Sequence, residues 1–290
     1  MPYCSPLRNI NRKDDICLSH TELRSIAAQY NHQHPDNMIP SSSFKDKAEL
    51  LKQLNSKFKN LCPENADHCW IEQAEIRNTD LYNQLKKYFR PKKPLSWQKN
   101  KREWLSNYDI LYVMKQYEEL FKDFKFLGVF PIDFAEKDVC YLNDICGFNL
   151  KKMLDTKKTR FGLVLNLDKH NEPGSHWVSI FCNLDPSSKQ YGLCYFDSGG
   201  TPPLPLIKKF IKTIWDEVKQ LFPEQSKTFV LKYNNTQKQF QNTECGVFST
   251  IFLAACLKHN NKNYRSIRSL IKSDRNDNHI HKFRDVFWRP

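Results

Sequence analysis

The sequence contains no apolar run long enough to cross a membrane, since none reaches the ~18 to 20 residues that a bilayer requires. Its first residues, Met1-Pro2-Tyr3-Cys4-Ser5, do not resemble a signal peptide. We therefore expect a soluble protein without a membrane span that works inside a cell or a particle.

Acidic residues are in deficit relative to basic ones. Lys and Arg number 45 against 32 Asp and Glu, which gives a formal net charge of +13. Such an excess favours an acidic partner, namely nucleic acid, a nucleoprotein particle or an anionic surface. The alternative is a well-solvated, lysine-rich surface without a specific partner.

The chain has ten cysteines but lacks the Cys-x2-Cys pair that is typical of zinc sites. Cys62 and Cys69, with His68 between them, are poorly spaced for a metal. His279-Ile280-His281 has no third ligand nearby in the sequence, so these histidines are expected at the surface. We predict no metal and no organic cofactor. Three other cysteines lie in apolar runs and are expected to be buried and reduced: Cys182, Cys194 and Cys256.

The length of 290 residues suits a catalytic domain with a smaller second domain. Residues 1–103 predict a basic helical domain and linker, with a first helix at the Ser19-x-x-Glu22 capping box and a second from Phe44 to Leu54. Lysines and arginines cluster with prolines in residues 85–103, which predicts the interdomain boundary there. A DNA-binding module and a bracing subdomain both fit this region.

A polar stretch from Gln239 to Gly246 leads directly into the apolar run 247–255. The apolar residues of that run repeat with helical period, and Thr243 is the predicted N-cap. Cys245 is therefore expected on the first turn of a buried helix, where unpaired N–H groups and the helix dipole favour a thiolate. A lone cysteine in this setting could also be a small core residue.

A histidine and an aspartate lie at the ends of two strand-like segments before this helix. His176 opens the first segment and Asp197 ends the second, with a turn-rich Asp185-Pro186-Ser187-Ser188 between them. An antiparallel hairpin centred between Pro186 and Ser187 places His176 directly opposite Asp197, close enough for the carboxylate to hold the imidazole.

These residues fit the roles of a thiol protease. His176 takes the proton of Cys245, Asp197 orients the imidazole, and the sulfur attacks a carbonyl carbon. An amide side chain just ahead of the nucleophile can hold the oxyanion together with the backbone N–H of Cys245. Gln239 is the first choice for that amide, and Gln237 and Gln241 remain alternatives.

The order His, Asp, Cys resembles that of the SUMO and ubiquitin-like-protein proteases and the adenovirus protease, and it excludes the papain order of Cys, His, Asn. The sequence is more similar still to the core cysteine proteases of large DNA viruses, of the African swine fever virus and poxvirus type. The motifs that carry this resemblance are Phe161–Asn166, Gly174-Ser175-His176-Trp177, Tyr195–Gly200, Gln239-x5-Cys245 and Thr243-Glu244-Cys245-Gly246. The resemblance covers about residues 104–290 and implies an α+β, adenain-like cysteine protease domain, with a central sheet flanked by helices.

The segment Trp104-Leu105-Ser106-Asn107 is similar to the Trp-Leu-Asn-Asp cleft motif of the SUMO proteases, with Ser106 and Asn107 departing from it. The resemblance implies that Trp104 and Trp177 close over the substrate backbone. A tunnel that narrow admits only residues without a Cβ, which predicts cleavage after Gly-Gly. The alternative is that both tryptophans belong to the core.

The resemblance therefore implies a thiol endopeptidase that cleaves Gly-Gly-x sites of viral structural polyproteins during virion maturation, in the host cytoplasm at virus assembly sites and in the virion. One alternative is a deconjugating protease that removes SUMO or ubiquitin-like proteins from host proteins. Another is a nucleic-acid-binding module that contacts DNA or nucleoprotein through its basic N-terminal region and carries an inactive protease-like domain.

Overall fold

The structure is a computed structural model that describes residues 3–8, 16–136, 144–271 and 277–290. The chain divides into two units, Met1–Lys92 with Phe287–Pro290, and Lys93–Val286. The division after Lys92 lies within the predicted boundary region 85–103, and residues 93–103 belong to the second unit. Trp97 in this stretch is buried, and the guanidinium of Arg284 lies 4.5 Å from the centroid of its ring.

The first unit is built from short helices around an apolar core. Its first helix begins at the predicted capping box, in which Ser19 accepts from the backbone of Glu22 and the Glu22 side chain accepts from the backbone of Ser19. The α-helices of this unit are α1 (His20–Gln33), α2 (Lys47–Phe58), α3 (Asp67–Trp70), α4 (Ala74–Arg77) and α5 (Asp80–Leu85), with 3₁₀ turns at Pro35–Asn37, Ser41–Lys45 and Lys86–Tyr88.

Two disulfides close loops of the first unit, Cys4–Cys17 and Cys62–Cys69. Cys62 and Cys69 are therefore paired with each other. The three cysteines predicted to be buried and reduced in the second unit are indeed buried and free.

One mixed sheet organises the second unit, with its strands in chain order across the sheet. The strands are β1 (Phe124–Pro131), β2 (Arg160–Asn166), β3 (Trp177–Asn183), β4 (Gly192–Phe196) and β5 (Val230–Tyr233). β1 runs parallel to β2 and β5 runs parallel to β4, whereas β3 runs antiparallel to both of its neighbours, β2 and β4. Strands β2, β3 and β4 are buried almost throughout, because helices cover the sheet.

The helices of the second unit include the crossover between the last two strands and the helix that carries Cys245. They are α6 (Asn107–Leu120), α7 (Leu150–Asp155), α8 (Pro205–Leu221), α9 (Cys245–Lys258), α10 (Tyr264–Leu270), α11 (Asn278–His281) and α12 (Arg284–Phe287), with 3₁₀ turns at Leu95–Gln98, Asp144–Gly147 and Gln225–Thr228. Among the described residues, no helix combines the length and the apolarity needed to cross a membrane.

Helix α9 packs against β3 and α6 and is buried along nearly its whole length. An apolar run with no polar face requires burial on all sides. The buried helix that the sequence predicts after Cys245 is confirmed. The predicted N-cap, Thr243, is wrong. The cap position belongs to Glu244, whose backbone carbonyl accepts from Phe248 N at 2.9 Å, and Thr243 Oγ1 lies 3.5 Å from the Glu244 carboxylate instead.

Candidate active site

His176 and Asp197 lie close together at the open end of the β3–β4 hairpin. His176 directly precedes β3 and Asp197 directly follows β4, and His176 Nε2 lies 2.6 Å from Asp197 Oδ1. Ser179 pairs with Phe196, so the hairpin is centred between Ser187 and Ser188 and the predicted register is wrong by two residues. Side chains alternate along a strand with period two, so this error leaves both residues on the same face.

The carboxylate of Asp197 is buried and held in place by the turn that follows it. Its Oδ1 accepts from Gly199 N at 2.7 Å and its Oδ2 accepts from Thr201 N at 3.3 Å. The backbone N–H of Asp197 in turn donates to Asn234 Oδ1 at 2.8 Å. Fixed in this way, the carboxylate can orient the imidazole of His176 without moving.

Cys245 lies at the first position of α9, and its side chain is one of the two groups that act on the imidazole of His176. Since Nε2 of His176 faces Asp197, Nδ1 is the ring nitrogen that can face the sulfur. Burial lowers the pKa of His176, but hydrogen bonds to Asp197 and Cys245 and the charges of both groups outweigh this effect and raise the pKa to about 10. A protonated imidazole beside the sulfur stabilises the thiolate.

The other free cysteines of the second unit have a different environment. Burial raises the pKa of the Cys194 thiol to about 12, and it also raises the pKa values of Cys182 and Cys256. These thiols therefore stay protonated, and they are poor nucleophiles at neutral pH.

Gln239 is buried on the loop that leads to α9. Its Oε1 accepts from Ser198 Oγ at 2.6 Å, and its Nε2 donates to the carbonyl of Gln241. An amide NH₂ carries two hydrogens, so one remains for a substrate oxyanion. The amide groups of the two alternatives have partners as well. Gln237 Nε2 donates to Gln239 O at 2.8 Å, and Gln241 Oε1 accepts from Arg102 at 3.3 Å.

A cleft of about 630 Å³ runs beside this group of residues and contains all three predicted substrate-binding residues, Trp104, Asn107 and Trp177. The indole Nε1 of Trp177 donates to Leu105 O at 2.9 Å, which joins the two walls of the cleft. Trp177 is buried, Trp104 is half-buried and Asn107 is exposed.

The first turn of α9 packs tightly against the same two walls. A Cβ atom at Gly246 would lie 3.0 Å from Leu105 Cδ1 and 3.1 Å from Trp177 Cδ1, closer than ordinary contacts. The glycine after Cys245 therefore lets the cleft and the nucleophile approach each other.

Sequence reasoning missed a buried ionic cluster next to Cys245. The carboxylate of Glu244 has no exposed surface, and it accepts from Arg284 Nε at 3.0 Å and His281 Nδ1 at 2.9 Å. His281, predicted at the surface, is half-buried because it binds this carboxylate. The only sequence signal is the acidic residue before the nucleophile, since its partners lie about 40 residues away.

The chain is similar in sequence to viral proteases. It is 27% identical over 309 residues to the "Putative thiol protease R355" of Acanthamoeba polyphaga mimivirus. The alignment covers 100% of this chain and 94% of that protein. It is 26% identical over 275 residues to the "SUMO-1 cysteine protease S273R" of African swine fever virus. This alignment covers 89% of this chain and 94% of that protein. No family model matches the chain.

The crystal structure of the African swine fever virus pS273R protease has a similar fold. The two structures match with a TM-score of 0.63 at 20% identity, over 99% of this chain and 95% of that chain. This likeness confirms the predicted α+β fold, in which helices flank a central sheet.

Proposed function

We propose that this chain, which is related over its whole length to viral cysteine proteases and shares the fold of one of them, is a thiol endopeptidase with Cys245 as its nucleophile. The observation that carries the proposal is the meeting of three side chains at the start of α9. Asp197 binds His176, His176 reaches Cys245, and Cys245 begins a buried helix.

The geometry supports acyl transfer through a covalent intermediate. The thiolate of Cys245 attacks the scissile carbonyl carbon, and the oxyanion is held by the second amide hydrogen of Gln239 and the backbone N–H of Cys245. The imidazolium of His176 protonates the leaving amine as the C–N bond breaks. His176 then accepts a proton from water, which attacks the thioester and releases the acid, so that the Cys245 thiolate and the His176 imidazolium are restored.

The proposed substrates are viral structural polyproteins with Gly-Gly-x sites, cut at assembly sites in the host cytoplasm and in the virion. The cleft supports the glycine requirement, because the Trp177 indole is fixed to Leu105 and Trp104 lines the same space. A backbone that passes between such walls has little room for a side chain at the residue whose carbonyl is attacked.

A deconjugating activity on SUMO or ubiquitin-like proteins is the second candidate. It is favoured by the name of the African swine fever virus relative, "SUMO-1 cysteine protease S273R". Both activities cut after Gly-Gly, so they differ in what precedes the two glycines. Gly-Gly-x peptides from viral precursors, offered beside SUMO and ubiquitin conjugates, separate the two by their kcat/KM values.

The central test removes the nucleophile and compares it with a second cysteine of the same helix. Cys245→Ala and His176→Ala should each abolish cleavage, and Asp197→Asn should leave weak activity because the imidazole loses its orienting carboxylate. A Gly-Gly acyl probe with a thiol-directed electrophile should label the wild type and Cys256→Ala but not Cys245→Ala. Cleavage at the wild-type rate by Cys245→Ala would refute the assignment.

A further inference from the structure

A buried carboxylate from the C-terminal part of the second unit binds the loop that carries Gln239. Asp277 has no exposed surface, and its side chain accepts three hydrogen bonds from backbone N–H groups of that loop. Oδ2 accepts from Phe240 N at 3.1 Å and from Gln241 N at 2.9 Å, and Oδ1 accepts from Phe240 N at 3.2 Å. Two backbone donors that no β-ladder satisfies are thereby paired with a negative charge.

The same short loop orients the side chain of Gln239. Gln241 is held on both sides, because its N–H donates to Asp277 and its carbonyl accepts from Gln239 Nε2. On the other side of the amide, Ser198 donates from Oγ to Gln239 Oε1 and accepts from Gln239 N at 2.9 Å. The amide of Gln239 is therefore fixed between the turn after Asp197 and a carbonyl whose own residue is bound by Asp277.

We propose that Asp277 is a positioning residue for the oxyanion hole, which it acts on through Gln241 and Gln239. The inference rests on the proposed function, because it takes Gln239 as the oxyanion donor. A donor stabilises a transition state only if it points at the developing charge before the reaction begins. Asp277 supplies that preorganisation by fixing the carbonyl that receives the first amide hydrogen of Gln239, which leaves the second in one direction.

The backbone of Asp277 allows two informative substitutions. Its φ angle of 55° lies in the left-handed region, which glycine and asparagine adopt readily. Asp277→Gly removes the carboxylate without straining the backbone. Asp277→Asn keeps one oxygen that can accept from the loop, but as a neutral acceptor it makes weaker hydrogen bonds.

The test compares peptide cleavage with alkylation of Cys245 by iodoacetamide, a reaction that forms no oxyanion. Asp277→Gly should lower kcat about tenfold or more with little change in KM, and Asp277→Asn should lie between it and the wild type. Both variants should be alkylated at the wild-type rate. The matched control is Asp285→Asn, which changes an exposed carboxylate paired with Lys93 and should keep the wild-type kcat.

A double-mutant cycle shows whether the effect passes through Gln239. In the Gln239→Ala background, Asp277→Gly should change kcat less than about twofold, because the donor that it positions is already gone. Full multiplication of the two effects, an unchanged kcat in Asp277→Gly, or equal slowing of alkylation and cleavage would each overturn the inference. None of these results touches the proposed function, which fails only if Cys245→Ala still cleaves or if the wild type does not.

Discussion

One nitrogen of the His176 imidazole binds the Asp197 carboxylate, and the other can face the sulfur of Cys245. The His176 side chain is about a quarter exposed, 23%, so solvent does not remove the influence of either partner. The result is a histidine that remains protonated at neutral pH and can act as an acid toward the leaving amine. Burial alone would have had the opposite effect on its pKa.

The pH dependence of cleavage should report this histidine. Because the pKa is raised from 6.5 to about 10 in the folded protein, the stabilisation that it contributes is fully present below pH 6.5 and is lost as the pH rises through about 10. Peptide cleavage should fall in the same range, since the imidazolium is the acid. Alkylation of Cys245 needs only the thiolate and should not fall. An alkaline limb near the ordinary histidine pKa would contradict the raised value.

Gln239 can be tested against its neighbours in the same loop. Gln239→Ala should lower kcat about 10²-fold or more, because the oxyanion loses one donor, while alkylation of Cys245 is unchanged. Gln241→Ala removes a side chain that binds Arg102 and should have a much smaller effect. A larger loss of kcat in Gln241→Ala than in Gln239→Ala would move the donor to residue 241.

At the scale of secondary-structure elements, the first turn of α9 is pressed against the wall of the cleft. Gly246→Ala should push Leu105 and Trp177 outward by a few tenths of an ångström and weaken the hydrogen bond between them. We expect kcat/KM for peptides to fall about tenfold, because misplacement of the cleft by a small distance is costly for the chemistry. Gly147→Ala is the control, since no atom of the described residues lies within 4 Å of its Cβ position. Equal kinetics in the two variants would exclude this packing role.

Much of the site follows from local sequence patterns. The apolar period after Cys245 predicted α9, and the two strand-like segments predicted the hairpin that joins His176 to Asp197. The register was wrong by two residues, because a turn-rich stretch such as 185–188 does not fix the length of its turn. Alternation of side chains made this error harmless.

The residues that support the loop could not be predicted in the same way. Asp277 and Arg284 lie 36 to 40 residues from the groups that they bind, and no local period relates such distant positions. The disulfides were also missed, because the spacing of cysteines does not reveal which of them pair. Both depend on tertiary contacts that one sequence does not display.

At the scale of the whole molecule, the two units differ in their cysteine chemistry. The first contains the disulfides Cys4–Cys17 and Cys62–Cys69, whereas Cys182, Cys194, Cys245 and Cys256 of the second are free. Cys4→Ser with Cys17→Ser opens a loop with a sequence separation of 13 and should lower the free energy of unfolding of the first unit by about 3 kcal/mol.

Amide hydrogen exchange in α1 measures this change within the first unit. A reducing agent should accelerate exchange in the wild type, and it should have a smaller effect in the double variant, where only Cys62–Cys69 remains to be broken. The control is Cys182→Ser, which removes a free cysteine and should leave exchange in α1 unchanged. Identical exchange in reduced and oxidised wild type would contradict a stabilising role for these bonds.

The complete burial of α9 also bears on when reactivity arises. A helix with no polar face has no stable existence in water, so it forms only as β3 and α6 close around it. Until then the sulfur of Cys245 has neither a helix terminus nor an imidazole beside it. A nascent or partly folded copy therefore lacks the grouping of residues on which the proposed cleavage depends, and that grouping appears only with the finished fold.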